Sequence, residues 1–242
     1  VRLAFQLLAL AFRQALALGL ITSNPMAGIK FKDFSKAKVS IKPSRLRGVQ
    51  LQDLLGELGQ VMGSEPADAM LALMMLCHGT RIGETRQARW SHISLAEGEW
   101  FIPAEHTKTG VEHHLPLTEQ VRTLLIQYRD TQTTRGYDGQ YLFPARNGKA
   151  LSEGQASAVF TRLGKGEWTS HDLRKLARTG WAVLGIDHLI CELLINHAHS
   201  ACYAAKSAGR ATYRYFDSRR ADMAYDAFVV ERLAQAGAVS LG

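Results

Sequence analysis

The chain opens on "VRLAFQLLALAFRQALALGL", in which Gln6, Arg13 and Gln14 interrupt an apolar run at helical spacing. That pattern predicts an amphipathic helix ending near Gly19, with "TSNPMAG" (22–28) as its turn-rich exit. A pattern-poor stretch at 30–48, "KFKDFSKAKVSIKPSRLRG", follows. From Val49 the apolar periodicity resumes: "VQLQDLLGELGQVM" and "EPADAMLALMMLCHG" both predict helices, the second largely buried. The pattern then switches. "GEWFIPA" (98–104) and "VEHHLPL" (111–117) flank a turn and predict a hairpin. "TEQVRTLLIQYRDT" begins a further helix on a capping Thr118 with Glu119 behind it, and helices are expected at 152–163, 170–184, 187–196 and 218–235. The expected fold is mainly α (α+β): a helical domain with one small antiparallel β-sheet, preceded by a separate helix.

Composition narrows the function classes. With 242 residues, 46% of them hydrophobic and 21% charged, the chain can form one good core plus a small appendage. Its net charge of +7 favours negatively charged partners, nucleic acid before anionic membrane. The first stretch has the length a bilayer requires, but its polar interruptions make it a soluble helix. Cys77, Cys191 and Cys202 have no framework spacing, which fits a reduced, intracellular protein. His197, His199 and Cys202 with nearby Cys191 match no common zinc pattern, so no metal site is expected. The opening on Val1 without an initiator suggests a piece of a longer protein.

Three basic clusters carry the candidate chemistry. In "SHDLRKLARTG" (170–180), Thr169 or Ser170 can cap a helix, Asp172 suits its first turn, and His171 and Arg174 are three apart. Free N–H groups, an imidazole and a forked guanidinium would converge there on an anion such as phosphate. In "CHGTRIGETRQARWSHI" (77–93), Arg81 emerges from a buried run and needs a partner. Glu84 either satisfies it outright or orients it, leaving its other donors for a ligand. In "HTKTG" (106–110), Lys108 stands at the hairpin turn, either solvated or reaching into a nucleic-acid groove. The basic 30–48 stretch is likewise either a solvated tether or one that touches a phosphate backbone.

In this order, the boxes resemble those of the tyrosine recombinases, the phage-integrase family. "GTRIGETRQARWSHI" is close to the family's "TGxRxxEhxxLxWxdi", and "HDLRKLARTG" supplies its H-x-x-R. "LLINH" followed by "ATYRYFD" resembles "LGHxxxxxTxxY", and "HHLPLT" after Lys108 resembles "HxVPLs". The first segment resembles the last helix of the family's core-binding domain with its "NP" exit. The resemblance implies 1–34 as the end of that domain, 35–48 as a basic linker and 49–242 as the catalytic domain.

It further implies DNA strand exchange through a 3′-phosphotyrosyl intermediate, without metal or nucleotide cofactor, on double-stranded DNA as a homotetramer in the bacterial cytoplasm. Arg81 and Arg174 would hold the phosphate oxygens, His197 would add a hydrogen bond, and Glu84 would support Arg81 from behind. His171 would assist deprotonation of the nucleophile Tyr213, and Lys108 would protonate the leaving 5′ oxygen. Sixteen positions separate His197 from Tyr213, longer than the family's usual interval, so Tyr215 and then Tyr203 are the alternatives. The apolar stripe in "YDAFVVERLAQAGAVSLG" (225–242) suits docking on a neighbouring subunit or on its own domain. Two other functions share these residues or this fold: a relaxing enzyme of the type IB topoisomerase kind, and a DNA-binding regulator without catalysis.

Overall fold

The computed structural model describes residues 2–34, 44–186 and 188–196. The chain divides into two compact units, Val1–Pro43 and Ser44–Gly242. In the first, α1 (Arg2–Ala17) ends before Gly19, whose φ of 69° turns the chain out of the helix. Asn24 Oδ1 accepts a hydrogen bond from the Met26 N–H, closing the turn around Pro25. A short helix, α2 (Phe31–Phe34), follows, and Phe31 meets Phe5 edge to face at 5.7 Å between ring centroids. No residue of α1 is buried, and Leu3, Leu7 and Leu10 stand exposed. Among the described residues no helix is long and apolar enough to cross a membrane.

The second unit is built around α4 (Pro66–His78), which begins on a proline at its first turn and is apolar on all sides. Every residue from Ala69 to His78 is buried, with α3 (Leu51–Ser64) and α8 (Ser170–Val183) packed against it. α3 contributes Leu51, Leu54, Leu55 and Leu58, a spacing that keeps one stripe facing inward. α4 stops at Gly79, left-handed at φ 59°, and a single turn, α5 (Ile82–Thr85), leads away.

The sheet has three antiparallel strands in sequence order: β1 (Ile93–Ser94), β2 (Glu99–Ile102) and β3 (His113–Pro116). Trp100 pairs with Leu115, and both are fully buried, so the inward positions of the hairpin cover the core while Glu99 and Phe101 face outward. α6 (Glu119–Thr134) starts where expected, the Thr118 hydroxyl accepting from the Val121 N–H. Glu119 pairs instead with Arg122 along the helix surface. α7 (Glu153–Gly164) and α9 (His188–Leu194) complete the described elements.

The fold is mainly α with one small antiparallel sheet, as the pattern predicted. Two features did not follow from it: the β1 strand and the loop at 137–150. That loop is tied down by Trp90 N–H donating to the Gln140 carbonyl at 2.8 Å and by Gln132 and Tyr128 donating to the Leu142 carbonyl. The end of the basic stretch also behaves differently from a tether. Residues 44–48 belong to the larger unit, Leu46 is buried in its core, and the Arg45 N–H donates to Asp172. The helix expected at 218–235 and the tail at 225–242 lie outside the described residues.

Candidate active site

Arg81 sits where α4 hands over to α5. The Gly79 turn reverses the chain, and the buried Thr80 and Thr85 hydroxyls meet at 2.7 Å, with Thr85 also contacting the Arg81 carbonyl. Glu84, three residues on, accepts from the Arg81 N–H at 2.8 Å through one oxygen and from Nη1 at 2.7 Å through the other. A buried carboxylate thus fixes both backbone and side chain of one arginine. The Arg81 side chain remains 25% exposed, and its Nη2 lies 3.4 Å from the Asn196 carbonyl. Glu84 is thus the partner that Arg81 needs, and it satisfies part of the guanidinium.

α8 supplies the second guanidinium. Its start is closed by Asp172 rather than by a capping hydroxyl: one carboxylate oxygen accepts from the N–H and hydroxyl of Thr169, the other from the Arg45 N–H. Burial alone would push the Asp172 carboxyl up, but these three hydrogen bonds outweigh it and hold the acid below its ordinary range. One turn further, Arg174 is buried. Its Nη1 donates to the Gly79 carbonyl at 2.5 Å and its Nη2 to the Ile195 carbonyl. A guanidinium carries five N–H donors, so these bonds leave others for a ligand.

Burial and the adjacent positive charge of Arg81 lower the Arg174 pKa to about 10, with Glu84 and Glu192 opposing them. His171 is exposed where Arg174 is buried, so the expected common face is a surface position beside an inward one. The Arg174 charge still acts on the His171 ring. Burial first, then Lys175, Arg174 and Arg81 hold the His171 imidazole below its ordinary pKa, which keeps it neutral and able to take a proton at neutral pH.

Lys108 is exposed on the β2–β3 connection. That connection is anchored beneath it: the Thr107 hydroxyl donates to the Ala104 and Val111 carbonyls, and the Thr109 hydroxyl lies 3.2 Å from Asn196 Oδ1. His113 on β3 adds a second tie, its Nε2 lying 3.0 Å from the Leu194 carbonyl at the end of α9. Burial holds the His113 imidazole below its ordinary pKa, so the neutral ring donates this bond. α9 is pinned to α8 as well, through Arg178 Nε and the buried Glu192 carboxylate at 2.5 Å.

The structure therefore brings Arg81, Arg174, His171 and the Lys108 loop around the end of α9, with Glu84 behind Arg81. His197, Tyr203, Tyr213 and Tyr215 lie outside the described residues. Residues not singled out from sequence are His113, Asn196 and Asp172 in its full capping role. His113 and Asn196 each stand within a box already quoted, "HHLPLT" and "LLINH", so the signal was present without its reason. Among the described residues no cluster of three or more His, Cys, Asp or Glu could hold a metal, and Cys77 and Cys191 are buried.

The arrangement suits an oxyanion with more than one free oxygen. Two permanently charged forks stand together, one rigidly held by backbone carbonyls, beside a neutral imidazole and an exposed ammonium.

Comparison with known proteins agrees with that reading. The phage integrase family pattern matches residues 44–205. The integrase of Enterobacteria phage 434 is 29% identical over 178 residues, covering 69% of this chain and 46% of that protein. Prophage integrase IntZ of Escherichia coli (strain K12) is 28% identical over 167 residues, covering 67% and 39%. The chain spans about half the length of the curated relatives it matches. Among solved structures, a lambda integrase(75-356) dimer bound to a COC′ core site superposes with a TM-score of 0.61 at 24% identity, over 82% of this chain and 71% of that one. The integrase from mycobacterium phage Brujita gives 0.58 at 19%, over 96% and 75%. At such identities the superpositions establish the fold.

Proposed function

Because the chain belongs to the phage integrase family, we propose that it is the catalytic part of a site-specific DNA recombinase that cuts and rejoins DNA through a 3′-phosphotyrosyl intermediate. The observation that carries this reading is the paired guanidinium site. Arg174 is buried beside Arg81 despite like charge, an arrangement that a bound phosphodiester would relieve.

A phosphodiester gains negative charge on its non-bridging oxygens as it is attacked, so catalysis calls for preorganised donors around phosphorus. Arg81 and Arg174 supply them, and His197 adds a hydrogen bond. Tyrosine, with a pKa near 10, is a poor nucleophile at neutral pH. His171 takes its proton as the Tyr213 oxygen bonds to phosphorus. The bond from phosphorus to the 5′ oxygen breaks in the same step, and Lys108 delivers a proton to that oxygen. The 3′-phosphotyrosyl link keeps the phosphoester bond, and a 5′-hydroxyl from a second duplex later displaces the tyrosine. Residues 1–34 would be the end of a core-binding domain and 35–48 its basic link to the catalytic domain. The DNA complexes of relatives, which include a lambda integrase tetramer bound to a Holliday junction, support a homotetramer on double-stranded DNA. The working compartment would be the bacterial cytoplasm.

The test is a covalent adduct. The full-length protein is mixed, in EDTA, with nicked duplex carrying the junction between its encoding element and the host chromosome, then denatured and peptide-mapped. A tyrosyl-DNA bond at Tyr213, absent in Tyr213→Phe, is the expected result. A bond at Tyr215 or Tyr203 would move the nucleophile and keep the function. Tight binding with no adduct would favour the regulator. An adduct that relaxes supercoils without joining two duplexes would favour the topoisomerase-like enzyme.

A further inference from the structure

Asn196 occupies an unusual position in this site. It ends α9 in the left-handed region, at φ 49°, a conformation costly for most side chains and routine for glycine. Where the recombinase pattern has a glycine before its histidine, this chain has Asn196 before His197. Asparagine is among the few other residues that adopt this backbone readily, and unlike glycine it adds an amide. That amide is engaged: Oδ1 accepts from the Thr109 hydroxyl at 3.2 Å. The backbone carbonyl of the same residue faces Arg81 Nη2 at 3.4 Å.

One residue therefore touches both the phosphate-clamping arginine and the β2–β3 connection. Thr109 is the chain neighbour of Lys108. It is further braced by the Thr107 hydroxyl at 3.4 Å, which in turn contacts the Ala104 and Val111 carbonyls across the base of the connection. Lys108 itself is exposed and has no ion pair among the described residues, so among them no partner of its own side chain fixes where its ammonium points. A general acid must lie within hydrogen-bond reach of the oxygen it protonates, and small misplacements are costly.

We infer that Asn196 and Thr109 form a latch that positions Lys108 against the Arg81–Arg174 phosphate site, a task a glycine at 196 cannot perform. The latch is a pair of positioning residues, and the inference rests on the reading of Lys108 as general acid. Its role is specific to the leaving group: it aligns the proton donor and leaves the clamp on the non-bridging oxygens unchanged.

That specificity defines the experiment. Single-turnover cleavage by the full-length protein is measured on junction duplex with an ordinary 5′-bridging oxygen and on the same duplex with sulfur there. A thiolate leaves without needing a proton, so sulfur bypasses the general acid. Asn196→Gly keeps the left-handed backbone, Thr109→Val removes only the hydroxyl, Thr109→Ser restores it, and Lys108→Ala removes the acid. On the oxygen substrate, Asn196→Gly and Thr109→Val are expected to cut roughly tenfold slower, part of the 10²–10⁴ that general acid catalysis contributes. Thr109→Ser should recover most of that rate. On the sulfur substrate both variants, like Lys108→Ala, should cut within about twofold of the unaltered protein.

Unchanged rates on oxygen would overturn the latch. So would losses that persist on sulfur while Lys108→Ala is rescued, since the residues would then serve the clamp or the fold. If Lys108→Ala is slowed equally on both substrates, the reading of Lys108 fails, and the latch fails with it.

Discussion

Gly79 is the position at which a single methyl group should disturb both fold and site. Its φ of 59° costs an alanine about 1–2 kcal/mol. The added Cβ would stand 2.8 Å from Trp181 Cη2 and 3.0 Å from Ile195 Cγ2. Trp181 is fully buried and cannot swing away, so the overlap adds about 1–3 kcal/mol as strain or backbone displacement. Gly79→Ala should therefore lose about 3 kcal/mol, and a domain of this size then melts roughly 6–12 °C lower. Any shift that relieves the clash also moves the carbonyl that accepts from Arg174, so cleavage should fall further than unfolding alone explains. Gly136→Ala is the control. It is left-handed too, at φ 81°, with nothing within 4 Å of its Cβ, so it should lose only the conformational part, about 1–2 kcal/mol. Thermal unfolding of the two variants side by side decides the matter. If Gly79→Ala melts no lower than Gly136→Ala, the close approach of α4, α8 and α9 at this point is wrong.

Two further outcomes are expected. Asp172→Ala leaves the N–H groups of Thr169 and Arg45 without their acceptor and should lose about 2–3 kcal/mol in urea unfolding at pH 7. The folded pKa is depressed, so the stabilisation is complete above the unfolded value near 3.9 and disappears as pH falls through the lower folded one; the gap from the unaltered protein should narrow there. If His171 is the proposed base it must be neutral, and the acid limb of kcat/KM for DNA cleavage should lie below the ordinary imidazole value of 6.5. Lys175→Gln removes a charge that depresses this pKa, so the limb should move up toward that value; an unmoved limb would mean another group titrates.

Much of this was legible in the sequence because it is local. The run from Ala69 to His78 has no polar face, so it had to be a buried helix, and it is. Arg81 and Glu84 stand three apart, where a helical turn brings side chains together. The hairpin declared itself through Trp100 and Leu115 on alternating positions. The partners of Arg174 were not legible, because they are carbonyls, identical at every residue. Gly79 is 95 positions away in the chain and Ile195 is 21. For the same reason Asp172 read as a charge at a helix start, while one of its bonds goes 127 positions back to Arg45. β1 is two residues long, too short for any period to register.

Those carbonyl bonds also explain why the candidate site and the core cannot be separated. Arg174 ties the end of α4 to the end of α9, and His113 ties β3 to the same helix end. Thr109 and Arg81 both reach Asn196, the next residue along. The groups proposed to meet the phosphate are thus held by bonds that converge on residues 194–196, immediately before His197. In the proposed reading Arg174 does two things with one side chain: two N–H groups close the fold, and the others would meet the phosphate. A lysine could provide the charge but not that division, because its donors radiate from a single point. The like charge of Arg81 beside it costs stability when the site is empty, and Glu84 and Glu192 offset that only in part. An anion bound between the forks, as proposed, would offset that cost. The fold therefore holds this electrostatic stress at the place where the phosphate proposed to react would relieve it.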